Sequence, residues 1–146
     1  MQMSVDFNDN NLSQFLQGAS ERIDKRIKAG VQAVSREMVR EVTGREGLSK
    51  YPRHKKGTPT PSPVGEPPAQ VTTNLRRSVK IQPARRIGFG NYEQTVQNTA
   101  IYARVQEFGS SRIPKRPFMA PARKRTMQKA DKLFVRAVIL EVKRGK

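Results

Sequence analysis

The side chains best placed to do chemistry in this sequence are cations. Arg125, Lys129, Lys132 and Arg136 recur at intervals of three and four, and Lys143 falls in the same sector of a helix two turns on. A rigid row of positive charge with no acidic member suits a polyanion, either DNA or the acidic surface of a protein. A second basic set, Arg53, Lys55 and Lys56, stands where no helical pattern runs. The plain alternative for both sets is a solvated face. Acid–base, nucleophilic and metal chemistry find no comparable arrangement. His54 is the only histidine, and a lone loop histidine among cations makes a poor metal ligand. Cysteine is absent and the 12 acidic residues are scattered, so no catalytic site, metal, cofactor or small-molecule substrate is expected. Gly88-Phe89-Gly90 lacks the third glycine of a dinucleotide loop and reads as a turn.

Charge sets the class of partner. The 146 residues carry 29 Lys and Arg against 12 Asp and Glu, a formal net charge of +17. Such a chain repels itself as a compact monomer and attracts polyanions. Aromatic residues make up only 6% and are not interleaved with the cations, so contact with DNA should go to phosphates and ignore sequence. No leader-like apolar run opens the chain and no stretch approaches a membrane span, which points to a soluble protein made in a cytoplasm.

The elements that must position these groups read as α+β in a single domain, 1–146: two long amphipathic helices on a small antiparallel sheet, with a long Pro-rich extended arm. The N-terminal helix, 11–44, carries Leu12, Leu16, Ala19, Ile23, Ile27, Val31, Val34, Met38 and Val42 at threes and fours. Its other face mixes Arg22, Lys25, Arg36 and Arg40 with Glu21, Glu37 and Glu41. The arm, 45–70, holds six of the ten prolines, with Thr58, Pro59, Thr60, Pro61, Ser62 and Pro63 at its centre. Alternate prolines leave extended backbone. A linker and an arm docked on a neighbouring subunit read equally well there. The small sheet and a capped helical turn occupy 71–109, with strands at 78–82, 85–89 and 93–98. The C-terminal helix, 117–144, places Met127, Ala130, Phe134, Ala137, Val138 and Val142 on one side. Leu133, Ile139 and Leu140 lie off that stripe and ask for a second contact.

Between sheet and helix lies the stretch around which the chain is organised. Tyr102, Val105 and Phe108 fall on one side of a helical turn, Gly109 ends it, and Pro117 and Pro121 fix the backbone around Phe118. Phe108 and Phe118 are expected to be buried and to hold this connection against both long helices.

These stretches resemble a family of minor tail and neck proteins of long-tailed bacteriophages. Thr58 to Pro63 followed by Val64-Gly65-Glu66-Pro67-Pro68, then Asn74-Leu75-Arg76-Arg77-Ser78, carries the first half of the likeness. Tyr102-Ala103, Glu107-Phe108-Gly109 and Arg116-Pro117-Phe118-Met119-Ala120-Pro121-Ala122 carry the second. Ser110 stands where the family pattern has threonine. The resemblance implies a tail-completion or head–tail joining subunit that forms a ring, with six copies as the expected number, around the channel through which DNA passes. Its partners would be other copies, neighbouring neck and tail proteins, and phage DNA through non-specific phosphate contacts. It would be assembled in the host cytoplasm and reside in the virion. The competing reading is a sequence-independent, basic DNA-binding architectural protein, for which the charge alone would serve. A small basic nuclease lacks the histidine and carboxylates it would need.

Overall fold

The computed structural model describes residues 9–51, 56–57 and 62–144. Its spine is α1, Asp9–Thr43, the helix that the apolar stripe demands. The second long helix, called α4 here by chain order, is Met119–Arg144. The two run antiparallel, as cross-pairs show: Glu41 meets Arg125, and Lys25 meets Glu141. The apolar stripe of α4 supplies Phe134 to the seam, where its ring lies on Gly30. Met127 does not join that stripe and is exposed.

Between the long helices the chain forms α2 (Asn74–Arg77), four strands and α3 (Ala103–Phe108). Thr73 precedes α2 without giving it a side-chain cap. The strands are β1 (Val79–Ile81), β2 (Arg85–Gly88), β3 (Asn91–Glu93) and β4 (Val96–Asn98). The expected single sheet is instead two two-stranded antiparallel ladders, β1 with β4 and β2 with β3. Together they form one interrupted hairpin. Val79 faces Asn98 and Ile81 faces Val96, and the Gln82 amide still reaches the Thr95 carbonyl at 2.9 Å. Pairing resumes with Arg85 opposite Glu93, which leaves Pro83 and Ala84 opposite Gln94 alone. Proline has no N–H to give to a ladder, so the break falls where Pro83 requires one. A second irregularity follows between Arg86 and Gly88, before the tight turn at Phe89 and Gly90. Gly90 has φ 67°, a conformation glycine adopts without strain.

The hairpin tip is tied down to α1. The buried Asp24 accepts from the Gly90 amide at 3.2 Å and pairs with Arg86 at 2.8 Å. The main core gathers Val42, Leu48, Leu75, Ala103, Phe118 and Ala122, with Met38, Val79, Ala100 and Met119 against it. It sits where the end of α1, the start of α4 and the two short helices meet.

That core corrects the expected arm. Leu48 is buried in it, and the Leu48 amide returns to the Val42 carbonyl at 2.7 Å. The segment after 61 also lies on its own subunit: Pro67, Pro68 and Ala69 are buried, and the Gln70 amide group donates to the Leu48 carbonyl at 2.8 Å. So the described parts of 45–70 are not a free extension. Apolar residues and backbone groups there find partners within the chain, which leaves little to project. Thr58, Pro59, Thr60 and Pro61 lie outside the described residues, as do Arg53, His54 and Lys55.

Candidate functional site

The junction between α3 and α4 is held by a single carboxylate. An α-helix begins with four backbone N–H groups that have no partner within it. In α4 these belong to Phe118, Met119, Ala120 and Pro121. The Glu107 carboxylate accepts from the first three, at 2.8, 2.9 and 2.8 Å. Pro121 has no N–H to satisfy. The negative charge also lies at the positive end of the helix dipole. Glu107 was legible only as part of a motif; its side-chain role was not.

The same use of Glu107 corrects the expected burial of Phe108. A helix that turns Ala103 and Glu107 inward, four residues apart, must turn Phe108 about 100° away. Phe108 is 74% exposed, Tyr102 is exposed as well, and the neighbouring Ile101 is fully so. Phe118 is 1% exposed and fills the place expected of both phenylalanines. Gly109 ends α3 at φ 77°, and a Cβ there would stand 3.0 Å from the Ile113 oxygen and the Lys115 nitrogen. The loop that follows is closed by the Ser110 amide on the Ile113 carbonyl, at 2.8 Å, and by the Arg116 amide on the Gln106 carbonyl, at 2.7 Å.

Arg116, just before Pro117, fastens the Pro-rich segment to this loop. Its guanidinium donates to the Ser62 hydroxyl at 2.9 Å and to the Ser62 carbonyl at 3.0 Å. The Gly65 amide adds a bond to the Lys115 carbonyl at 3.0 Å, and Lys50 pairs with Glu66 at 2.6 Å. Ser62 is 3% exposed, whereas Pro63 faces solvent. Of the six residues expected to form an intersubunit arm, the described two are thus divided between an internal anchor and the surface.

The cation row on α4 divides similarly. Arg125 reaches the Glu41 carboxylate at 2.6 Å and the Glu41 and Glu46 carbonyls at 3.3 and 3.2 Å. It thereby closes off the C-terminal end of α1. Lys129 bonds Glu41 at 2.5 Å and lies 3.5 Å from Glu37. The Lys129 ammonium, and then the Arg125 guanidinium, hold the Glu41 carboxyl below the usual glutamate range. Glu41 in turn raises the Lys129 ammonium above the usual lysine range. Lys132 and Arg136 are exposed and make no ion pair among the described residues, and Lys56 is exposed too. The row therefore lies along the α1 seam at one end and open to water at the other.

Beside the open end, Val135, Ile139 and Leu140 are about half exposed. With Asp131, Lys132, Arg136 and Lys143 they line a shallow groove along the helix. Among the described residues no group of three or more His, Cys, Asp or Glu is disposed to hold a metal ion. No helix among them is long and apolar enough to cross a membrane.

A family model described as "Bacteriophage HK97-gp10, putative tail-component" matches residues 8–109. The match takes in α1, the Pro-rich segment, the hairpin and α3, and stops at Gly109, before α4. No curated protein and no solved structure matches.

Proposed function

The chain belongs to the HK97 gp10-like family of bacteriophage tail components, and from that premise we propose that it is a ring-forming neck or tail-completion subunit joining head to tail. It does this as a structural, non-enzymatic part of the virion, with six copies around the path of the DNA. The observation that carries the reading is the exposed apolar surface at the α3 corner, where Phe108 and Ile101 stand in water beside a fully buried Phe118. A monomer gains nothing from such surface, whereas a subunit that completes itself by assembly buries it.

The positive charge supports the same reading in a different way. DNA in a conduit must be tolerated and still move, which favours diffuse charge over many fixed phosphate contacts. Arg125 and Lys129 are occupied by Glu41 and Glu37, which leaves Lys132 and Arg136 as the members of the helical row open to loose phosphate contact.

Size measurement by light scattering and electron microscopy of the purified chain without nucleic acid tests the reading. A closed ring of one stoichiometry is expected. A monomer or dimer that instead binds duplex DNA tightly, with a salt slope of many phosphate contacts, overturns it in favour of an architectural DNA binder.

A further inference from the structure

The outer face of α4 interleaves apolar and basic side chains. Val135, Ile139 and Leu140 recur at intervals of four and one, so they form one patch that spans more than a helical turn. Lys132 precedes this patch on the helix, Arg136 stands within it between Val135 and Ile139, and Lys143 follows it, with Asp131 as the one acidic lining residue. The groove follows the helix axis, as the contact between two packed helices does.

We propose that this face binds an acidic amphipathic α-helix of another protein. Apolar side chains of that helix cover Val135, Ile139 and Leu140, and its carboxylates meet Lys132, Arg136 and Lys143. The inference goes beyond the ring reading and does not depend on it.

Charge argues against a second copy of this chain as the occupant. Several of its acids are held internally: Asp24 on Arg86, Glu37 on Arg40, Glu41 on Arg125, Glu66 on Lys50 and Glu141 on Lys25. Glu107 is spent on the start of α4. A two-fold contact through this face would bring Lys132, Arg136 and Lys143 of both copies together, in a chain of net charge +17. A second apolar feature, the hairpin tip with Ile87 and Phe89, carries Arg85 and would be repelled as well. DNA fits less well because its interfaces are polar and would leave the apolar side chains without complementary surface. A helix that carries both apolar and acidic side chains on its docking face satisfies the apolar and the basic residues together.

The test uses the full chain and three fluorescent probes. One is a designed helical peptide of about 18 residues with leucines at helical spacing and glutamates elsewhere, long enough to cover the groove. The second has lysines in place of the glutamates, and the third is a short DNA duplex. Anisotropy should show saturable binding of the Glu peptide and none of the Lys peptide. The double substitutions Val135→Ser with Ile139→Ser, and Lys132→Glu with Arg136→Glu, should each weaken Glu-peptide binding at least about tenfold. Lys80→Glu, on the hairpin, should change it less than about twofold. All are exposed positions, and circular dichroism checks that the fold is kept. Glu-peptide binding that survives the loss of Val135 and Ile139 overturns the proposal. So does loss of DNA binding alone on charge reversal, or self-association that the serine pair abolishes.

Discussion

The Phe134 ring lies directly on the backbone of Gly30, so close that a Cβ built on Gly30 would stand 2.5 Å from two ring carbons. The glycine is thus a feature of the α1–α4 seam rather than a weakness in α1. Helix propensity alone favours alanine over glycine by about 1 kcal/mol. The contact opposes that gain, since the ring must shift within a packed seam, at a cost of about 1–3 kcal/mol. Gly30→Ala should therefore fail to stabilise the protein and should lower its melting temperature. Adding Phe134→Leu should restore part of the loss, a coupling that thermal denaturation of the two single variants and the double variant measures.

At the start of α4, Glu107 serves three backbone donors at once. Removing a helix cap costs about 0.5–2 kcal/mol, and the lost charge at the helix start adds to that. Glu107→Ala should cost about 2 kcal/mol, and Glu107→Gln less, because the amide keeps one acceptor oxygen. For a chain of this size that is a drop of several degrees, at about 2–4 °C per kcal/mol. Equal stability of Glu107→Ala and the parent would remove Glu107 from the capping role.

Much of this architecture was legible in the sequence, for identifiable reasons. Long stripes such as Ile23, Ile27, Val31 and Val34 have only one helical solution, and Pro83 allowed few places for a ladder to break. The junction was legible as a place but misread in orientation. Spacing puts Tyr102, Val105 and Phe108 on one side, but it does not say which side is buried. The deciding term was a polar one, the demand of the α4 start for Glu107. The anchoring of Ser62 was not legible because composition describes stiffness and says nothing of Arg116, 54 residues away. The pairing at one end of the basic row was not legible for the same reason: its partners, Glu37 and Glu41, belong to a face of α1 that looked merely solvated.

The two phenylalanines of the junction should now behave oppositely. Phe118→Ala empties a fully buried site and should destabilise the subunit by about 3–5 kcal/mol. Phe108→Ala removes an exposed ring and should change stability by no more than about 0.5 kcal/mol. Chemical denaturation separates them. If the α3 corner is an assembly surface, the Phe108 variant should stay folded but assemble poorly, which size measurement reads independently. A strongly destabilised Phe108 variant would mean that this ring is buried after all.

The ion pair cluster at the α1–α4 seam should give stability a particular dependence on pH. The Glu41 side chain is only 12% exposed, and the hydrogen bond from Lys129 and then that from Arg125 lower its pKa. A carboxyl whose pKa is lower folded than unfolded stabilises the fold at pH values above its unfolded value, about 4.3. That contribution is lost as pH falls through the folded value. Lys129 is shifted upward, so its contribution is complete below the usual lysine range and lost as pH rises through its raised value. Glu41→Gln should therefore be less stable than the parent by a constant amount between about pH 6 and 9. Charged hydrogen bonds at a largely buried carboxylate suggest about 1–2 kcal/mol, with the more exposed lysine screened by solvent. Below about pH 4 the difference should begin to shrink, and it should vanish once pH has fallen past the lowered folded value, where the parent carboxyl is protonated as well. Denaturant unfolding of both proteins at pH 7 and pH 3 measures it. A gap of the same size at pH 3 would show that Glu41 acts through packing and neutral hydrogen bonds, with its charge irrelevant to the fold.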